Sequence, residues 1–400
     1  VEEALDRPVR VGALLFLVVL TLLGSAQGAA MLWVRAGWPG GFTVVAPSTH
    51  GMVQVGAFFL LILGFLTHVL PGMTGQRGEV KGALVPLWVM AAGLVASTLT
   101  ELLALGQGAA VGARLVVVAG LLGAALALGR TVAGGKLPVD QPGFPWLLLG
   151  VAGFGVCSLV WVMEAAGLLV RPVAAALALP TTVTVVILGM GYRMFTAMLH
   201  LGAPRASRFV PGMVAWWLGG VANATVGPTP WADGLMLLGA VLVVWALGFH
   251  HRKNALQAGL MRAPTFRVLQ VQIVTGAVAL VASPAVALLG PWTNNPWAMR
   301  DVSRHLLAMG FCLNVAMAIT QHVLPRMTAG RMCSPRVMAL GAAVLGVGLL
   351  LRTVAVVAPG MPQWMAWSGV VSWLAVVVYA VHLGRAIAVP VHLDDARAAG

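Results

Sequence analysis

Apolar residues run along this chain in stretches of about twenty, broken at short intervals by Gly, Pro and charged residues. That pattern predicts membrane-spanning helices. Twelve such runs lie near 11–34, 48–70, 83–105, 109–129, 145–169, 174–200, 210–227, 233–250, 268–289, 303–324, 337–358 and 365–387. The runs lack the two-residue alternation that a strand needs to face lipid on one side and a lumen on the other, which excludes an outer-membrane barrel. The predicted fold is an all-α integral membrane protein of about twelve transmembrane helices.

Composition agrees and removes other classes. Hydrophobic side chains make up 60% of the 400 residues and charged ones 9%, where a soluble domain carries about 25% charged residues. A water-soluble enzyme is excluded. The net charge of +13 does not point to nucleic acid, because the Lys and Arg residues are scattered between apolar runs and form no basic stripe. They speak instead of topology. With the N-terminus inside, seventeen basic residues fall in cytoplasmic segments and six outside, with Arg193 inside a span. The positive-inside rule therefore places both termini in the cytoplasm of a bacterial-type inner (plasma) membrane. Trp33, Trp38, Trp292, Trp297 and Trp364 cluster in the outer loops, as amphipathic rings at a membrane–water boundary should. Cys157, Cys312 and Cys333 show neither disulfide nor zinc spacing. The charged first ten residues lead straight into an apolar run without a small-residue cleavage site, so no removable signal peptide is expected.

Spans two, six and ten end alike, as His68-Val-Leu-Pro71-Gly-Met-Thr-Gly75, His200-Leu-Gly-Ala-Pro204-Arg205 and His322-Val-Leu-Pro325-Arg-Met-Thr-Ala-Gly330. This predicts three pseudo-repeats of four helices, approximately 1–140, 141–264 and 265–400, within one polytopic domain. Leu-Pro and Thr-Gly punctuating unrelated helix ends would be the plainer explanation.

Spans two and ten also begin with histidine, His50 and His305. Eighteen residues separate His50 from His68, five turns and roughly 27 Å of helix, so each of these spans carries one imidazole near each membrane surface. An imidazole in hydrocarbon needs a metal or a hydrogen-bond partner, unless it merely caps the span at the interface. Two imidazoles at one depth on facing helices suit the axial positions of a low-spin b-type haem, which His50 and His305 satisfy on the outer side. Arg300, Arg304 and Arg352 are candidates to neutralise its propionates, or ordinary interfacial cations. On the inner side, His68, His200 and His322 would suit copper or another metal with an open position, or a second haem. Arg193 precedes His200 by seven residues and so shares its helix face, beside Tyr192; these two, with Glu101 and Glu164 at outer span ends, are the candidate catalytic or proton-relay groups. Interfacial carboxylates are the commoner use of such Glu residues.

Thr49-His50-Gly51 with Gly64-Phe65 and Leu70-Pro71 resembles the second helix of haem–copper oxidase subunit I, and Asp301 through His305, Gly310 and Leu324-Pro325-Arg-Met-Thr resembles its tenth. That resemblance implies His50 and His305 as low-spin haem ligands. The chain departs from that family at Ser303, where its high-spin haem ligand would stand. It also lacks the sixth-helix copper His with its Pro-Glu-Val-Tyr continuation and the His pair after the seventh helix, although His250-His251 stands at the end of span eight. Standard oxygen reduction is therefore not expected. His50-x-Met52 with Gly64-Phe-Leu66 and Pro71-x-x-Thr-Gly75, and Gly191-Tyr-Arg193-Met-Phe-Thr196, are similar to helices of NnrS-type haem- and copper-containing membrane proteins. The implied function is redox chemistry in nitric oxide metabolism or quinol-linked electron transfer, as an oxidoreductase alone or as a subunit of a larger electron-transfer complex. The implied partners are the lipid bilayer, quinol and nitric oxide. The alternative is a twelve-helix transporter without redox cofactor, since repeats and a Gly-rich broken span also describe carriers. The topology has a direct test: a cysteine introduced at Gly78 should resist a membrane-impermeant thiol reagent added outside intact cells, and its labelling there would reverse the orientation.

Overall fold

The computed structural model describes residues 2–38, 43–75, 80, 82–135, 142–169, 172–201, 203–248, 263–293, 295–328, 330–358 and 362–388. His250 and His251 lie outside them. Ten helices are long and apolar enough to cross a membrane: α1 (Arg7–Arg35), α2 (Pro47–Pro71), α3 (Leu84–Leu102), α4 (Gln107–Ala133), α5 (Phe144–Ala165), α6 (Ala174–Met198), α9 (Pro264–Trp292), α10 (Pro296–Met327), α11 (Pro335–Val357) and α12 (Pro362–Ala388). Two more, α7 (Ala206–Thr225) and α8 (Pro230–Ala246), fall outside those limits; α8 is 17 residues long. Proline stands at the first position of α2, α8, α9, α10, α11 and α12, where its missing N–H costs nothing and its fixed φ suits a helix start. Most ends match the hydrophobic runs within a few residues. The start of α10 does not, lying seven residues before the apolar run, because its first turns carry Arg300, Asp301, Ser303 and Arg304.

Lipid gives helices no hydrophobic reason to associate, so their packing relies on close van der Waals contact at small residues. Consecutive helices pack on each other in pairs, α1 on α2, α3 on α4, α5 on α6, α7 on α8, α9 on α10 and α11 on α12. Glycine lies at the crossings. A methyl group at Gly12 would meet the Leu60 carbonyl oxygen at 2.7 Å, one at Gly120 the Met90 nitrogen at 2.5 Å, and one at Gly239 the Trp216 nitrogen at 2.5 Å. Further contacts join α4 to α5, α8 to α9 and α12 to α1, so the pairs close into a ring. Inside it stand α2, α6 and α10, whose apolar stretches are 83%, 72% and 67% buried, against at most 50% for any other spanning helix.

Three helices are interrupted by π-helical turns: Val19–Ser25 in α1, Leu179–Val183 in α6 and Leu306–Leu313 in α10. Such turns loosen the regular hydrogen-bond ladder, and backbone carbonyls at or beside them take donors from a neighbouring helix. The Trp373 indole donates to the Thr21 carbonyl at 3.2 Å, Trp216 to that of Pro180 at 2.9 Å, and the Ser283 hydroxyl to that of Ser303 at 2.9 Å. Away from water this matters, because an unsatisfied peptide group in hydrocarbon costs several kcal/mol.

Gly239→Val should destabilise the α7–α8 pair by about 1–3 kcal/mol through overpacking. Gly129→Ala, where nothing lies within 4 Å, should leave thermal unfolding in detergent unchanged or slightly raised. Equal melting temperatures for Gly239→Val and the parent would contradict the close crossing.

Candidate functional site

The N-terminal parts of α2 and α10 face a cavity of about 370 Å³, into which His50 and His305 both open. All three π-helical turns contribute to its wall, through Leu20 and Ser25, Leu179 and Pro180, and Leu307 and Met309. No sequence pattern signalled these turns, and π-helical turns frequently occur at functional sites. The Nδ1–H of His305 donates to the Asp301 carbonyl oxygen at 2.7 Å, which fixes the tautomer and leaves Nε2 with a free lone pair. The Asp301 carboxylate lies 3.7 Å from the same Nδ1 and pairs with Arg352 at 2.6 Å. Arg352 also contacts the Met365 sulfur. Across the cavity, His50 Nδ1 is buried without a hydrogen bond of ordinary geometry among the described residues, while the ring interacts with the Gly24 backbone. Gly28 of α1 lies against its ring, where a methyl group would stand 2.8 Å from Cε1. Glycine thus leaves the imidazole the room it occupies.

The cations on the cavity fall into two groups. Arg300 pairs with Asp233 of α8 at 2.8 Å, and the Asn223 amide of α7 donates to the same carboxylate at 2.7 Å. Arg352 is matched by Asp301. Arg35 and Arg304 also line the cavity, and neither has an ion-pair partner among the described residues. Of the sequence-stated propionate candidates, then, Arg300 and Arg352 are already neutralised and Arg304 is open. Sequence reasoning missed Arg35, Asp233 and Asn223. Arg35 ends the first span and resembles any interfacial anchor, and nothing in the sequence brings Asp233 to Arg300.

Glu101 and Glu164, in the last turns of α3 and α5, do not line the cavity. Glu101 accepts the Ala46 N–H at 2.8 Å and the Thr49 hydroxyl, capping the start of α2 one residue before His50. The buried Arg114 of α4 donates to Glu101 at 2.9 Å, to the Thr49 oxygen at 3.1 Å and to the Trp161 carbonyl at 2.8 Å, and its guanidinium lies 4.7 Å from the centre of the Trp161 ring. Glu164 accepts the Ala174 N–H at 2.7 Å, capping α6 in the same manner. Both carboxylates thereby satisfy donors that a helix start leaves unpaired, next to the positive end of its dipole.

The opposite level, at the C-terminal ends of α2, α6 and α10, is different. His68 and His200 are exposed and His322 is half-buried. His200 lies just past the end of α6, with φ of +50°. Among the described residues no three His, Cys, Asp or Glu side chains are placed to hold one metal ion. His68, His200 and His322 therefore do not stand together as such a group. Arg193 is exposed, and Tyr192 donates to the Pro204 carbonyl at 3.2 Å and packs on Phe209; neither lines the histidine cavity. The three cysteines are buried and unpaired, and burial pushes the Cys333 thiol up to about 12, which makes it unreactive.

No family of known proteins matches this chain, and no curated protein matches it.

Removing Arg114 would strand Glu101 and Thr49. Arg114→Met is expected to cost about 3 kcal/mol, the usual penalty for breaking a buried ion pair from one side, read as a lower thermal midpoint in detergent. An unchanged midpoint would mean that the cluster does not hold the start of α2.

Proposed function

We propose that the chain is a twelve-helix membrane protein built of three four-helix units, whose outer cavity holds a b-type haem between His50 and His305. The observation that carries this reading is the pair of imidazoles from α2 and α10 on one cavity, with His305 Nδ1–H committed to the Asp301 carbonyl. That hydrogen bond directs Nε2 outward and raises its basicity as a ligand. The buried Nδ1 of His50 and the space left by Gly28 fit a ring held for coordination. Arg35 and Arg304, the two cations without carboxylate partners, match a ligand with two anionic arms. A bound bis-imidazole haem supplies one-electron transfer.

The three-unit architecture is supported by the repeated packing of first helix on second and third on fourth, by the links α4–α5, α8–α9 and α12–α1 between units, and by the burial of each unit's second helix. In this arrangement α7 and α8 cross the membrane as the counterpart of α3–α4 and α11–α12. The function we assign is redox chemistry in nitric oxide metabolism or quinol-linked electron transfer, alone or as a subunit of a larger complex in a bacterial-type inner membrane with both termini cytoplasmic. A second reading, an anion carrier without redox cofactor, draws on the interrupted helices and open arginines around the same cavity.

Purified protein should show a Soret band and split visible bands on reduction. His50→Ala and His305→Ala should each abolish the low-spin spectrum, because the iron loses one of two axial ligands. Unchanged low-spin haem in both variants, or a colourless parent protein, would overturn the assignment, and the colourless result would favour the carrier.

A further inference from the structure

A second, smaller cavity lies among the three central helices, with a volume of about 50 Å³. Phe58 and Ile62 of α2, Ile187 and Met190 of α6, and Val315 and Ile319 of α10 line it, and no polar atom opens onto it. Thr320 borders it, but the hydroxyl is engaged with the Ala316 carbonyl at 2.6 Å and the Tyr379 hydroxyl at 2.7 Å. A buried water needs two to four polar partners, and this partly open cavity offers none, so its lining favours an apolar guest over water although the space exceeds the roughly 10–15 Å³ that one water requires. Dry apolar cavities take up small apolar guests such as xenon.

We propose that this chamber is a binding site for one small, uncharged, apolar molecule in the size class of the dissolved diatomic gases. Charged or hydrogen-bonding ligands are excluded by the lining, since an amide or hydroxyl moved there without a partner would lose about 2–7 kcal/mol. Phe58 gives the site its setting: the same ring lines the chamber and the histidine cavity, and it leans on Phe16 with ring centres 5.5 Å apart. It is the partition between an apolar space among the central helices and the polar cavity toward the outer surface. The inference stands on the chamber itself and does not require that a haem be bound.

The test is a structure of the full chain in detergent, determined after equilibration under xenon pressure. One xenon position is expected among Phe58, Ile187 and Ile319. In Phe58→Ala the xenon density should extend into the space vacated by the ring, toward the histidine cavity. Ile319→Trp should lose the xenon, with thermal unfolding showing that the variant is folded; Ala316→Leu serves as the smaller filling change should the tryptophan prevent folding. Ordered water or a lipid chain in the chamber would overturn the proposal, as would its remaining empty at a pressure that places xenon elsewhere in the molecule. The absorption spectrum of the same sample reports separately on the haem reading, so the two can fail independently.

Discussion

Close approach of helix backbones is the constraint on which the other features depend. Lipid tails are as apolar as leucine, so sequestering hydrophobic surface does not drive one helix onto another. What remains is contact density, and at Gly12, Gly120 and Gly239 the helices approach to distances that a side chain would forbid. With the peripheral helices closed into a ring, α2, α6 and α10 are withdrawn from lipid. Only then can their N-terminal parts border a cavity containing arginine and aspartate.

The polar residues follow a second rule, that each buried charge must meet a partner or a cavity. Arg114 and Glu101 meet each other and capture Thr49; Arg300 meets Asp233; Arg352 meets Asp301. These pairs join different helices, so they tie the ring together at the level of the cavity while fixing the segments around His50 and His305. Arg35 and Arg304 line the cavity without a carboxylate partner among the described residues.

Much of this was legible in the sequence, for a physical reason. Hydropathy reports on helices because spanning segments must satisfy their own backbone, and the ends of α2 or α11 could be read within a few residues. His50 and His305 could be paired because depth along a spanning helix translates directly into depth in the membrane. The start of α10 was hidden because its cavity-facing turns are as polar as a loop. Arg35 and Asp233 were hidden because cross-helix partnership depends on azimuth, which hydropathy does not encode. Position along the helix suggested one metal site for His68, His200 and His322; no such group is assembled among the described residues, because equal depth does not fix which way each side chain faces.

The π-helical turn Leu306–Leu313 begins directly after His305. Bonding from i to i+5 accommodates one additional residue, and one residue corresponds to about 100° of helical rotation. Side chains beyond Leu313 are accordingly turned by that amount from where an uninterrupted helix would point them. A helical wheel drawn through all of α10 therefore superimposes two registers. Substitution tolerance along it would be periodic on either side of the turn but out of phase across it, and removing one residue between Leu306 and Leu313 would convert the turn to regular α-helix and leave His322 at its present angle to His305.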